Sequence, residues 1–524
     1  MKPDAGQHGG LVLAGVLLLG AAIHLPFLGS GSLWLDEALT VVPAMRTDDL
    51  ASLVAEVRAM DTQPPLSHLM LYGLRDLLPA GEFGLRLPNF IGLQIGLIFL
   101  FLAIRRIWGL STALVTVALA QVSPYLAFYG AEARNYGPWF AAVCASWWLL
   151  TCWTGAAADV TATGSPLGAR RGPGRAVLVA AWGVVNGLGL LVHLFQFFAL
   201  VSQWAVIGAV ALSIQRGPAR RRLLMAGAAG TGLALALFSP WAAILSTQAA
   251  EGATGVNWTR PTSLKTLAAL PYALALGFSW GPGLREAHTL DVAGLLRLHG
   301  AALATAATVL ALVVAAAARL LAGRGGADTP GAGAAADRVA FLLIPLVGGA
   351  GPLGYAFATH FPLHPRHLMF LAPLVPLLLA RLILAKGPGR WAAAALVALQ
   401  IGALVNLHAN PVYAKDDERG AVRFAERRST GPACIVGDVA PLYVTRATGL
   451  IEQFADLRDP RLCTDVVDLW WIENRPWEDP DGRARRKIER AARDRGLEPL
   501  GTGGDFVGVT LHHWRRGVAG EGAP

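Results

Sequence analysis

Charged side chains are scarce in this chain: Asp, Glu, Lys and Arg make up 15% of its 524 residues, against 54% hydrophobic. That balance excludes an ordinary soluble protein, in which about a quarter of the residues are charged. Ionisable groups are nearly absent from the middles of the apolar runs, which argues against an ion-coupled transporter, since its pathway needs them there. Those runs also lack period-two alternation, so a transmembrane barrel is excluded and helices remain. No small-residue cleavage pattern follows the first run, where His24-Leu-Pro-Phe27 leads into a Gly/Ser loop. It reads as a retained span and not as a removed leader. Internal repeats are missing as well, which speaks against a solenoid or an inverted-repeat carrier. Of only four cysteines, Cys144 and Cys152 fall in an apolar run as packing residues, while Cys434 and Cys463 fall in a polar tail where a disulfide is permitted.

What the chain does have is apolar length. Runs long enough to cross ~30 Å of hydrocarbon lie near 11–28, 88–104, 110–128, 137–153, 176–192, 196–214, 223–246, 293–318, 339–358, 367–385 and 391–408. The expected fold is therefore a polytopic α-helical membrane protein of about eleven spans. The net charge of +9 needs no nucleic acid to explain it, because the basic residues fall in alternate connections. These are Arg105-Arg106, Arg170, Arg171 and Arg175, Arg216 with Arg220-Arg221-Arg222, Arg319, Arg324 and Arg338, then Lys386 and Arg390. The pattern puts the N-terminus in the cytoplasm and the C-terminus outside. It also gathers Asp36-Glu37, residues 131–136, His193, residues 247–292 and 360–366 and the tail from about 410 on the extracytoplasmic face.

Residues 1–409 are expected to form the membrane domain, including a long external loop at 29–87, and 410–524 a small extracytoplasmic α/β domain. In the loop, Leu50, Leu53, Val54 and Val57 recur at helical spacing, predicting a helix along the membrane surface. In the tail, short apolar runs at 433–438, 468–473 and 505–511 predict strands, with a charged helix near 482–495. Two Gly/Ala-rich connections, Gly155–Gly174 and Gly323–Asp337, read as mobile and carry no motif.

The ionisable residues cluster at the outer ends of the runs. Asp36 and Glu37 follow the first span directly. There, one carboxylate could take a proton from a hydroxyl while its neighbour orients it, stabilises charge or holds a metal. The same pair equally suits the first turn of an interfacial helix beginning near Leu35, where it would complement the helix dipole. Asp61-Thr-Gln63-Pro-Pro-Leu66 opens an apolar helix with two stiffening prolines that aim Asp61 and Gln63. Tyr129-Gly-Ala-Glu132-Ala-Arg134-Asn-Tyr136 joins two spans and carries both signs of charge between aromatics. Arg134 offers the planar fork of donors that binds phosphate, although an arginine at this depth also suits lipid headgroups. His193 sits in an aromatic run, and His360, His364 and His367 surround Arg366 without matching a zinc signature.

In order, these segments resemble the GT-C membrane glycosyltransferases, in particular the branch of protein O-mannosyltransferases, lipid A aminoarabinose transferases and lipopolysaccharide-core transferases. The matching elements are Leu33-Trp-Leu-Asp36-Glu37-Ala, Gln63-Pro-Pro-Leu66, Gly84-Leu-Arg-Leu-Pro88 and Ala131-Glu-Ala-Arg-Asn-Tyr136. They continue with Val192-His-Leu-Phe195, Pro365-Arg-His-Leu368, Lys415-Asp-Asp-Glu-Arg-Gly420 and Ile435-Val-Gly-Asp438. The resemblance implies transfer of a sugar from a polyprenyl-phosphate donor to an envelope glycan, lipid or protein, usually with inversion, in the plasma membrane. Under it Asp36 is the base, Glu37 supports it, and Arg134 and Arg366 neutralise the departing phosphate. Glu132, Tyr136, His193, Asp61 and Gln63 complete the substrate site. No cofactor is assigned, and a divalent metal at the carboxylates stays open. Gln63, Leu194 and His367 depart from the residues common in the family, which bears on sugar or acceptor identity more than on reaction class. No nucleotide-sugar motif is present, in keeping with a lipid-linked donor. The main alternative is a transporter or flippase of envelope lipids, and a further one is a scaffold whose external domain recruits partners.

Overall fold

A computed structural model describes residues 5–61, 63–163, 174–214, 217–250, 262–322, 332–385, 387–452, 463–476, 479 and 481–517. Among these, eight helices are long and apolar enough to cross a bilayer, or nine if Pro365–Leu371 and Leu374–Leu384, bent by 52°, form one span. The chain is thus a multi-pass membrane protein. All eleven expected runs fall largely on helix, but length and composition do not fix the number at eleven. Two of them share the 40-residue helix Glu82–Gln121, which breaks where Gly109 takes φ of 84°. Another lies in Tyr136–Thr163, which carries Trp139, Trp147, Trp148 and Trp153 and is not among the eight.

The connections expected to be mobile are partly helical. One helix continues to Thr163 and another begins at Ala332, while residues 164–173 and 323–331, with Arg170, Arg171 and Arg324, lie outside the described residues, as do Arg216 and Lys386.

Three short helices, Leu35–Arg46, Leu50–Met60 and Leu66–Leu74, fill the long loop after the first span. The second is the one that the spacing of Leu53 and Val57 predicts. Its N-cap Asp49 accepts the backbone N–H groups of Ala51 at 2.8 Å and Ser52 at 2.9 Å, satisfying donors that a helix start leaves open. Close packing fixes the next connection. A Cβ on Gly137 would lie 1.8 Å from the Asn89 carbonyl oxygen, so only glycine lets Glu82–Gln121 approach Tyr136–Thr163 this closely. Asn89 then donates to the carbonyls of Tyr129 at 2.7 Å and Gly130 at 3.0 Å, holding the start of segment 129–136 in place.

Five strands form the C-terminal sheet: β1 Ala433–Gly437, β2 Thr448–Ile451, β3 Asp468–Asn474, β4 Leu497–Thr502 and β5 Val509–Arg516, in spatial order β2-β1-β3-β5-β4. β1 is parallel to β2 and β3, and β5 runs antiparallel to β3 and β4. Alternation along the strands builds two apolar faces. Cys434, Val436, Leu469 and Trp471 pack with Ile488, Ala491 and Ala492 of helix Arg483–Asp494. Ile435, Trp470 and Ile472 pack with Ala421, Val422 and Ala425 of helix Glu418–Arg428. Cys434 and Cys463 are joined in a disulfide. The third expected strand starts later, at Val509, and β2 and β4 were not expected because Gly449, Pro499 and Gly501 interrupt their patterns.

Candidate functional site

Glu37 is the centre of the arrangement at the ends of the first spans. Its carboxylate is fully buried and accepts from Arg86 Nε at 2.7 Å and Nη2 at 2.9 Å, from the Ala133 N–H at 2.7 Å, from Lys415 Nζ at 3.2 Å and from the Trp34 N–H at 3.2 Å. Burial alone would raise its pKa, but the charges of Arg86 and Lys415 outweigh that and hold it at about 2. Arg86 uses its other donors on the carbonyls of Leu28 at 2.7 Å, Gly31 at 2.8 Å and Ser32 at 2.8 Å. One buried ion pair therefore shapes the loop that delivers Asp36.

Asp36 itself is ion-paired to Arg366 Nη1. One helical turn on, Thr40 receives a hydrogen bond from Arg134 Nη1 at 2.9 Å, and the same nitrogen reaches Asp61 Oδ2 at 3.1 Å. Residues four apart share a helix face, so Arg366 and Arg134 approach the same side of helix Leu35–Arg46. Asp61 also accepts the Gln63 N–H at 2.9 Å and lies 3.7 Å from His68 Nε2. His193 stacks on Trp139 with ring centres 3.9 Å apart, stands 6.4 Å from the Tyr136 ring and 6.2 Å from the His367 ring beside Arg366. Burial and the nearby Arg134 push its pKa down to about 3, so it is neutral. Asp36, Arg366, His193, Tyr136, Arg134 and Asp61 thus close a ring drawn from five separate segments.

Glu132 lies between this ring and the Glu37 pair. It is fully buried, and among the described residues no group donates to either carboxylate oxygen. Burial lifts its pKa to about 7 and Glu37 adds to the rise, against the pull of Lys415, Arg134 and Arg86. Among the described residues no three His, Cys, Asp or Glu side chains are placed to hold a metal ion together, and no step below runs through one.

Two participants were not assigned from the sequence, although the motifs containing them were singled out. Arg86 stands inside Gly84-Leu-Arg-Leu-Pro88 and Lys415 opens the segment after the last span. The signal available was a basic residue within each motif, alone in the first and joined by Arg419 in the second. That segment ties the two halves together. Asp417 accepts from Ser32 Oγ at 3.4 Å, Arg419 donates to Glu82 at 2.8 Å, and the Tyr443 hydroxyl accepts the Leu33 N–H at 2.7 Å. Val439, just after β1, and Ile451, the last residue of β2, share an apolar core with Leu33, Leu35 and Ala133.

No family model matches the chain, and no curated protein does. Solved structures do. The apo form of ArnT from Cupriavidus metallidurans is similar with a TM-score of 0.50 at 11% identity, over 97% of this chain and 98% of that one. The same protein bound to undecaprenyl phosphate gives 0.46 at 14% identity, over 97% and 98%. The oligosaccharyltransferase AglB from Archaeoglobus fulgidus, in complex with an inhibitory peptide and a dolichol-phosphate, gives 0.46 at 11% identity, over 94% of this chain and 72% of that one. At such identities the likeness is one of fold: this chain has the polytopic helical architecture with a small C-terminal sheet that ArnT has, as its resemblance to the GT-C transferases led one to expect.

Proposed function

We propose that the protein is a membrane glycosyltransferase that moves a sugar from a polyprenyl-phosphate donor to an envelope glycan, lipid or protein. The observation that carries this reading is the closed ring itself: two carboxylates, two guanidiniums and a neutral imidazole meet at one end of the spans. ArnT, whose fold this chain shares, has been captured with undecaprenyl phosphate. In the proposed reaction the acceptor oxygen bonds to the anomeric carbon, the bond from that carbon to the phosphate oxygen breaks, and its electron pair leaves on the phosphate. The acceptor proton passes to Asp36. Arg366 and Arg134 hold the phosphate as its charge grows, which is where fixed cationic donors lower a barrier most.

The pairing of Asp36 with Arg366 gives the reaction an order. A bound donor phosphate competes for Arg366 and releases the Asp36 carboxylate to act as base. Glu37, with its oxygens already occupied, is a positioning residue that holds the loop before Asp36. Alternating basic connections support an extracytoplasmic site in the plasma membrane, with the N-terminus cytoplasmic. Residues 1–409 would carry the reaction and 410–524 would pack over its entrance.

The test is complementation of cells lacking the protein, followed by mass analysis of envelope glycans and polyprenyl-phosphate sugars. Wild-type protein should restore one sugar on an envelope acceptor and clear its accumulated donor. Asp36→Asn, which keeps the shape of the side chain, should lower transfer 10²- to 10⁴-fold while the protein still inserts. Near wild-type transfer by Asp36→Asn would remove the catalytic assignment, and unchanged envelope sugars in the deletion strain would remove the function.

A further inference from the structure

A second feature that carries two arginines lies at the opposite ends of two helices from the ring just described. Helices Gly174–Val192 and Pro218–Ala250 touch closely at Gly183 and Gly230, where an added Cβ on Gly183 would come 2.5 Å from the Gly230 carbonyl oxygen. Toward their starts they leave a cavity of about 540 Å³. Its walls include Val179, Ala180, Ala229 and Leu233, and two arginines, Arg175 and Arg222, line it without any carboxylate among its lining residues. Arg175 Nε and Nη2 are shielded from solvent and have no hydrogen-bond partner among the described residues.

Position along the helices sets the depth. Arg175 lies 17 residues before Val192, which at ~1.5 Å per residue is about 26 Å. Val192 adjoins His193 of the ring. Arg222 stands 19 residues before Trp241, which packs against Leu53 and Val57 of the long loop. Both guanidiniums are therefore about one bilayer thickness, measured along their helices, from the ends that carry Val192 and Trp241.

The geometry points to a binding site for an anionic phospholipid of the leaflet opposite the reaction site, with its phosphate held between Arg175 and Arg222 and one acyl chain along Val179, Ala180, Ala229 and Leu233. A shielded guanidinium without an acceptor is costly, and a phosphate offers the acceptor oxygens and charge that it lacks. A second like charge at the same cavity strengthens the demand for an anion. The apolar walls select the source, because free phosphate would engage only the arginines and leave the groove empty. A lipid fills both parts. The site is independent of the reaction proposed above, and of the polyprenyl phosphate held at the other end.

The test is native mass spectrometry of the full-length protein with phosphatidylglycerol or phosphatidylcholine added. Wild-type protein should retain phosphatidylglycerol in preference to phosphatidylcholine, and inorganic phosphate should not displace it. At about one basic side chain's worth of headgroup attraction each, Arg175→Gln with Arg222→Gln should weaken retention about thirtyfold. Ala229→Leu narrows the groove with both charges intact and should weaken it as well. Equal retention of the two lipids, or retention unchanged by the double variant, would overturn the proposal. Displacement by inorganic phosphate together with an unaffected Ala229→Leu variant would replace the lipid with a free-anion site and overturn it too.

Discussion

The loop carrying Glu37 and the loop carrying Glu132 face the same cations yet are built in opposite ways. Both carboxylates are fully buried, and Arg86 and Lys415 act on each. Glu37 has five donors, from Arg86, Ala133, Lys415 and Trp34, whereas Glu132 has none among the described residues. The result is one pKa near 2 and another near 7 within a single cluster. A saturated carboxylate is a fixed anchor, since any rearrangement costs several hydrogen bonds. An unsatisfied one keeps its bonding capacity for something that arrives, and in the reading above that is substrate.

The strongest attack on this contrast is Glu37→Gln. It leaves Arg86 and Lys415 buried without their counter-charge, and removing one partner of such a pair costs roughly 3–5 kcal/mol. A steep fall in thermal stability of the purified protein is expected at pH 7. Acid should mimic it in the wild type: the depressed pKa contributes stability above about 4.5, which is lost as pH falls through about 2. A variant that melts with the wild type would show that the five bonds anchor nothing.

Lys415→Met is the intermediate case. Glu37 keeps its two-pronged contact with Arg86 and loses one donor, a loss of about 1–3 kcal/mol. Removing that cation also takes away an influence that lowers the pKa of Glu132, so Glu132 should titrate higher than in the wild type. A titration of Glu132 that stays put in the variant would separate the two carboxylates.

Glu132→Gln should have no effect in acid and an effect of the opposite sign above neutrality. Because burial raises the Glu132 pKa from 4.5 to about 7, its contribution to stability is complete below 4.5 and disappears as pH rises through 7. The amide variant should match the wild type near pH 5 and melt above it near pH 8. A larger deficit at pH 8 than at pH 5 would mean that Glu132 is held as a paired anion.

The membrane helices were legible because apolar length is a property of consecutive residues, and Leu/Ala-rich runs of bilayer length allow little else. The helix over Leu50–Met60 was legible for a similar reason, as the spacing of Leu53 and Val57 is local. Asp36, Arg134 and Arg366 could be singled out because charge at the end of an apolar run is conspicuous. Their partners could not. Arg86 joins Glu37 across 49 positions and Lys415 joins it across 378, and pairings at that distance are set by helix packing, which no local pattern encodes. Neither could the different states of Glu37 and Glu132, since both read as acids beside a span. The strands β2 and β4 were missed because neighbouring strands, more than their own Gly- and Pro-bearing sequences, place them in the sheet.

The bond from Lys415 to Glu37 has a consequence in time. A chain made from its N-terminus presents the loop at 29–37 early, while Lys415, Asp417 and Arg419, which brace that loop, arrive some 380 positions later. Until then Glu37 lacks one of its counter-charges, and the stretch before Asp36 lacks the contacts of Ser32 with Asp417 and Arg419. The loop before Asp36 is therefore completed only by a segment made after the last span. A chain cut short before residue 415 would span the membrane and still present an unfinished loop, so the segment after the last span is a condition for the final shape of the stretch before Asp36.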